Sequence, residues 1–317
     1  MLNKNFKTIF ITGGAGFIGS HLADVLVQEK RKVTVFDNLS TGKKHFLSGC
    51  IKSKNFKFIK GDLLNKKLLS KSLPKETDVV FHLAANADVS KGFSNPQIDI
   101  DNTTISTFNL LEVMKDRGVK NIVFLSGSGV YGDVGQKLIS ENYGPLLPQS
   151  MYGATKLSAE GLICAYSNLF NFRSWILRPA NIIGPRATHG VIFDFINKLK
   201  TDPSNLQILG DGLQSKSYVY VTDLLKAIML VTKTNKKGIE IYNVSSDSFI
   251  SVNSIANSII KLMGLKKVRI ERAKSKFGWP GDVPVIRLNT SNLKSTGWKA
   301  KYSSKAAVEK TVLDLIS

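Results

Sequence analysis

The chain has 317 residues, 43% of them hydrophobic and 21% charged, enough for one large domain or two packed ones and not a composition that stays disordered. Its 44 Lys and Arg against 24 Asp and Glu give +20, but the basic residues are scattered (Lys30, Arg31, Lys32, Lys43, Lys44, Lys66, Lys67, Lys236, Lys237, Lys266, Lys267) without interleaved aromatics, a solvated lysine-rich surface more than a nucleic-acid site. There is no membrane-length apolar run, no signal-peptide-like start, and only Cys50 and Cys164, with no CxxC pair, so the expected setting is a reducing cytoplasm, with no metal and no membrane.

Taken in chain order, KTIFIT predicts a first strand, and TGGAGFIGSHL follows it into a helix whose apolar face carries Phe17, Ile18, Leu22, Val25 and Leu26. At such a strand-to-helix turn Gly13 allows a tight bend, Gly16 lets a pyrophosphate approach the backbone, and Gly19 permits close helix packing. The next strand, KVTVFD, ends at Asp37, 24 residues after Gly13. A carboxylate there accepts both ribose hydroxyls and repels a 2′-phosphate, which favours NAD; Lys43 and Lys44 nearby leave NADP as the alternative.

NFKFIKGD, DVVFHLAA, NIVFLS and SWILRPAN continue the alternation of apolar strands with helically spaced stretches. That rhythm specifies a doubly wound parallel sheet of Rossmann type, with ligands at the carboxyl ends of its strands. Between the last two strands, SMYGATKLSAE places Tyr152 and Lys156 four apart on one helix face. An ammonium beside a phenol stabilises phenolate and lowers its pKa, preparing a general base for a substrate hydroxyl. After about Gly184 the rhythm breaks into loops, short helices and isolated strands such as EIYNV, with turn-rich GDGLQSKS and FGWPGDVP. The expected division is 1–183 for a cofactor domain, with part of 217–248 returning to it, and 184–317 for a smaller α+β substrate domain.

The segments TGGAGFIGS, DNLSTGKK, KGDL, FHLAANADVS, SGVYG, YGATK, RPANIIGPR, GDGLQSKSYVYVTD, YNV and PGDVP occur in an order that resembles the extended short-chain dehydrogenase/reductase family, in particular its nucleotide-sugar epimerases of the UDP-glucose 4-epimerase type. The resemblance covers nearly the whole chain. It implies an NAD site formed by Gly13, Gly16, Phe17, Ile18, Gly19, Asp37, Asn38, Ser40, Gly42, Asp62, Leu63, Leu83, Ala84, Ala85 and Asn102, together with Tyr152 and Lys156. For a UDP-sugar it implies Asn181, Lys216 and Asp282, with Trp279 where the family has an arginine and Arg287 as a replacement for it. Lys216 also stands where the family usually has arginine, keeping charge but not the bidentate fork. Ile286 falls at a gate position, where a small side chain admits N-acetylated sugars; plain strand packing is the alternative.

One departure concerns the reaction itself. Four residues before Tyr131 the family has a Ser or Thr that helps pass the sugar proton, and here that residue is Gly127. Ser126 and Ser128 flank it, but in extended backbone neighbours point to the opposite face, so a positive φ or a bulge at Gly127 would be needed to turn one inward. Dehydrating members carry Asp-Glu just after the Ser or Thr, and decarboxylating members a Glu two before the tyrosine; this chain has Ser128 and Gly129. The reading is therefore 4-epimerisation of a UDP-hexose through a 4-keto sugar. A reductase or dehydrogenase, or a non-catalytic NAD-binding sensor, are the alternatives. Homodimerisation through the Tyr152 helix and a helix from Pro96 to Arg117 is also implied, and the spacing of Phe108, Leu110, Leu111, Val113 and Met114 fits either that or core packing.

Overall fold

Strands without polar alternation are buried on both faces, and seven of them form one sheet here. The computed structural model describes residues 1–86, 89–234 and 237–317; Ala87 and Asp88 of the FHLAANADVS segment and Lys236 lie outside the described residues. In chain order the main elements are β1 (Thr8–Thr12), α1 (Phe17–Gln28), β2 (Lys32–Asp37), β3 (Phe56–Lys60), α2 (Lys66–Ser72), β4 (Val79–His82), α3 (Ser106–Arg117), β5 (Asn121–Leu125), α4 (Met151–Phe170), β6 (Arg173–Pro179), α5 (Val191–Thr201), α6 (Val221–Val231), β7 (Ile239–Val244), α7 (Val252–Leu262) and α8 (Ser304–Ile316). The sheet order is β7-β6-β5-β4-β1-β2-β3, and every pairing is parallel. The order reverses between β1 and β4, which opens a crevice at the strands' carboxyl ends.

The period of two along each strand divides the core. Ile9, Ile11, Val33, Val35, Phe81 and Trp175 face α1 and α6, through Leu22, Leu26, Leu224 and Ile228. Phe10, Phe36, Val80, Ile122, Phe124 and Ile176 face α2, α3 and α4, through Leu69, Leu110, Leu111, Met114 and Ile163. Each such side chain contributes roughly 1.5–3 kcal/mol by leaving water. The exposed edge strand β3 carries solvent-facing Lys57 and Lys60, which discourage pairing with another chain.

β7 lies far along the chain yet pairs with β6 from Ile239 opposite Ser174 to Val244 opposite Pro179. Beyond the sheet, α5, α7 and α8 pack around their own core of Phe195, Leu206, Ile255 and Val308. The helix starting at Pro96 passes through a π-helical stretch, Ile100–Ile105, before becoming α3. Leu110, Leu111, Val113 and Met114 are buried in the sheet core, so core packing accounts for that spacing, whereas Phe108 is exposed. Among the described residues no helix is long and apolar enough to cross a membrane, and no group of three or more His, Cys, Asp or Glu is placed to hold a metal ion.

Candidate active site

A cleft of 790 Å³ opens at the carboxyl ends of the strands, between the sheet and the C-terminal helices. Its floor is the glycine turn. A Cβ on Gly13, at φ +70°, would lie 2.6 Å from the Ala84 nitrogen, and one on Gly19 would lie 2.3 Å from the Gly13 carbonyl oxygen. No side chain caps α1, so its first-turn N–H groups are available to an anion. Asp37 ends β2 buried, its Oδ2 accepting from Ala15 N at 2.9 Å and its Oδ1 from Leu39 N at 2.8 Å. Burial pushes its pKa up, against those two N–H donors. Gly42 is not in the wall; a Cβ on it would come within 2.9 Å of Asp37 Oδ1, so it gives the carboxylate room.

Asn38 donates to Asp62 Oδ2 at 2.8 Å, while Asp62 Oδ1 accepts from Leu64 N, which fixes both acceptors at one end of the cleft. Leu63, Leu83, Ala84 and Ala85 make the wall apolar beside them, and Phe17, Ile18, Ser40 and Asn102 also line it. Asn102 spends one amide proton on the Ile98 carbonyl of its own helix. A dinucleotide therefore meets what it needs: a glycine turn with no room for side chains, an uncapped helix start and a buried carboxylate for the ribose.

Tyr152 and Lys156 sit in the first turns of α4, which Ser150 caps by accepting from Gly153 N at 3.1 Å. Gly153 is pressed against the Gly129 carbonyl, where a Cβ would lie 2.5 Å away, and this contact seats the helix on the 127–129 turn. Lys156 donates to the Leu125 carbonyl at 2.7 Å, and its Nζ lies 5.6 Å from the Tyr152 ring centre and 4.9 Å from that of Phe124. The pairing read from the sequence is present, but its direction on the phenol is not. Burial, with the Asp99 carboxylate adding to it, pushes Tyr152 up to about 12, and burial pushes Lys156 down to about 7 against Glu160 and Asp99. Desolvation disfavours both charged forms more strongly than their proximity favours them.

Gly127 corrects a second expectation. Its φ of −174° and ψ of 161° are ordinary extended backbone, so neither a positive φ nor glycine's freedom turns a serine inward. Ser126 also lines the cleft, but its hydroxyl is committed to Glu160 Oε1, to which it donates at 2.5 Å. Ser128 begins a 3₁₀ turn, Ser128–Tyr131, where strict alternation no longer applies, and it lines the cleft. A Cβ on Gly127 would meet Tyr152 Oη at 3.5 Å and Cε1 at 3.6 Å, ordinary contact distances. A side chain at this position therefore points at the phenol.

Beneath this corner lies a polar layer that no sequence motif marks. Arg178 Nη2 pairs with Glu160 Oε2 at 2.6 Å, and Arg178 Nη1 donates to Tyr131 Oη at 3.0 Å, which donates to Asn243 Oδ1 at 2.8 Å. Glu160 is four residues after Lys156, a spacing that signals a shared helix face; its partner across the sheet leaves no local mark. His82 is also buried. Thr107 Oγ1 gives its only hydrogen to the Thr103 carbonyl at 2.5 Å, so His82 Nε2 donates to Thr107 at 2.9 Å and Nδ1 accepts from Thr12 at 2.7 Å. Burial and the Lys156 charge hold it neutral, with its pKa down to about 3. It ties the glycine turn's strand to the first turn of α3. Asp99, buried and accepting from Asn86 Nδ2 at 2.9 Å, is a further charged group missed in the sequence.

At the other end, Asn181, Lys216, Trp279 and Asp282 line the cleft. Lys216 Nζ is 2.6 Å from Asp282 Oδ1, and Asp282 Oδ2 accepts from Gly278 N at 3.1 Å. Arg287 does not reach the wall: it donates to the Ser215 carbonyl at 2.9 Å and stacks 3.7 Å from the Phe249 ring centre, so a role as replacement arginine on the phosphate finds no geometric support. Ile286 packs buried with Val130, Tyr131 and Leu288 and is not in the wall, as the plain-packing alternative has it.

A profile of the NAD dependent epimerase/dehydratase family matches residues 9–245, most of the chain. The chain belongs to this family. A putative UDP-glucose 4-epimerase of Methanocaldococcus jannaschii is 34% identical over 311 residues, covering 96% of this chain and 97% of its own. A crystal structure of a UDP-galactose 4-epimerase superposes with a TM-score of 0.87 at 36% identity, covering 98% of both chains. The UDP-glucuronic acid 4-epimerase of Bacillus cereus, in complex with UDP-glucuronic acid and NAD, gives 0.88 at 29% identity, covering 98% of this chain and 99% of its own. The protein is thus an NAD-dependent enzyme of the epimerase/dehydratase family with a Rossmann-type fold, and the glycine turn and Asp37 suit that cofactor.

Proposed function

We propose that this enzyme interconverts UDP-hexoses that differ at carbon 4. The observation behind this reading is the reaction corner itself. Around Tyr152 the wall is Ser126, Gly127, Ser128 and Gly129, with Lys156 behind, and among the described residues this stretch carries no carboxylate; Asp99, whose charge reaches Tyr152 and Lys156, is buried outside the wall. The acids that line the cleft, Asp37, Asp62, Asp194 and Asp282, belong to other stretches of the wall. Eliminating water or carbon dioxide calls for extra acid or base at the sugar. Epimerisation calls only for a proton and a hydride to leave and return.

The glycine turn and Asp37 would hold NAD, which would supply the hydride chemistry at carbon 4 and whose cationic ring would favour phenolate at Tyr152. Tyr152 takes and gives back the proton of the 4-hydroxyl, and Lys156 supplies a neighbouring positive charge while its own position is fixed by the Leu125 carbonyl. Lys216 and Asn181 hold the substrate diphosphate, so the sugar turns about a fixed anchor. Trp279 provides a flat apolar surface for the uracil or the sugar. A second copy of the chain pairs through the exposed Ile105 and Phe108 on the helix running into α3 and the adjoining face of α4.

Purified protein incubated with UDP-glucose, UDP-galactose, their N-acetylamino counterparts and UDP-glucuronic acid tests the proposal. Interconversion of at least one pair is expected, with no net change at 340 nm and with loss of turnover in Tyr152→Phe. A stoichiometric rise or fall at 340 nm would instead identify a dehydrogenase or reductase. No reaction with any of them, with NAD bound, would overturn the reading.

A further inference from the structure

A second concavity, of 720 Å³, shares no wall residue with the cleft. It is formed by the start of α6, the segment before α8, and α8 itself. Four lysines line it, Lys226, Lys299, Lys301 and Lys310, around the edge-to-face pair Tyr220 and Tyr302, whose ring centres are 5.4 Å apart. Two of the ammonium groups are placed by those rings: Lys301 Nζ is 5.2 Å from the centre of Tyr302, and Lys310 Nζ is 5.1 Å from that of Tyr220.

The acids nearby offset only part of this charge. Asp223 is the one carboxylate in the wall; it is buried, and its Oδ2 is taken by the backbone N–H groups of Lys301 and Tyr302. Asp314 accepts from Tyr220 Oη at 2.6 Å and pairs with Lys310 at 3.1 Å. Among the described residues Lys226, Lys299 and Lys301 have no ion pair. Like charges gathered around one hollow repel each other and favour a multivalent anion between them.

We propose that this concavity is a binding site for a small anion carrying two or more phosphates, separate from the substrate cleft. The wall carries ammonium groups for several phosphate oxygens, and the Tyr220 and Tyr302 rings supply its aromatic surface. The assignment does not depend on which reaction the cleft performs.

Calorimetric titration of the NAD-loaded protein with inorganic tripolyphosphate, in about 0.15 M salt and with UDP saturating the cleft, tests it. One saturable site is expected, weakened at least about tenfold in Lys299→Glu/Lys301→Glu and measurably in Lys226→Gln, while Lys266→Glu/Lys267→Glu, a matched charge change elsewhere, leaves it within about twofold. UDP affinity reports that each variant is folded. No saturable binding by the unsubstituted protein, or equal weakening by the two double variants, would overturn the site and show only the effect of net charge.

Discussion

Replacing Gly127 by serine tests how the reaction corner works. The backbone there is extended at φ −174° and ψ 161°, so an L side chain fits without strain, and its Cβ would touch Tyr152 Oη at 3.5 Å without a clash. One bond further out, a serine Oγ reaches the separation of about 2.5–3.0 Å that an O–H···O hydrogen bond needs. A positioned proton-transfer group contributes about 10²–10⁴ in rate. Because water can occupy the same space in the parent enzyme, the expected gain lies at or below the lower end of that range, about tenfold to a hundredfold in kcat, or roughly 1.4–2.7 kcal/mol of barrier. Stability should rise by roughly 0.4–1 kcal/mol, because serine restricts the unfolded chain more than glycine does. Threonine adds a methyl beside the Tyr152 ring and should gain less. The assay is UDP-sugar interconversion at saturating substrate, paired with a thermal melt. A folded Gly127→Ser enzyme with unchanged or lower kcat on every convertible sugar would show that the corner does not lack a hydroxyl.

Three further outcomes follow from the buried charges and the anchor. Arg178→Met leaves Glu160 buried without its partner and should destabilise the fold by about 3–5 kcal/mol in urea titration, whereas Arg178→Met/Glu160→Met should recover much of that. His82 binds a proton near pH 6.5 when unfolded but stays neutral in the fold down to about 3, so the unfolded chain holds the extra proton and stability falls as pH drops from 6.5 toward 3, by up to roughly 5 kcal/mol. His82→Gln should flatten that acid limb of the urea midpoint; an unchanged limb would mean other groups set it. Lys216→Ala should weaken UDP binding by about tenfold or more at calorimetry with kcat little changed, since a charge-assisted hydrogen bond to phosphate contributes about 1.5–3 kcal/mol.

The parts of the site that sequence made legible are those whose chemistry is local. Gly13 and Gly19 are glycine because backbone atoms lie within 3 Å of where a Cβ would be, and the strand-turn-helix pattern announces this. Tyr152 and Lys156 share a face because four residues make about one helical turn. Gly127 lies opposite the phenol, its Cβ position 3.5 Å from Tyr152 Oη, because extended backbone turns alternate residues to the same face. Local reasoning failed where burial decides: the same four-residue spacing that brings ammonium to phenol says nothing of the solvent removed from both, and desolvation reversed the expected shift on Tyr152. It failed again at Arg287, whose guanidinium has a carbonyl and a ring within reach on the neighbouring segment and takes them instead of the cleft.

The sequence by itself determined the parallel sheet, the dinucleotide turn and the phenol-ammonium pair, because periodicity and short-range spacing specify backbone conformation and which side chains share a face. Only the tertiary structure decided the electrostatics and the contents of each wall. Glu160 meets Arg178, His82 bridges Thr12 to Thr107, and Lys216 meets Asp282 across 18, 25 to 70, and 66 positions of chain. Such contacts depend on how layers pack and exclude water, and no local pattern encodes that.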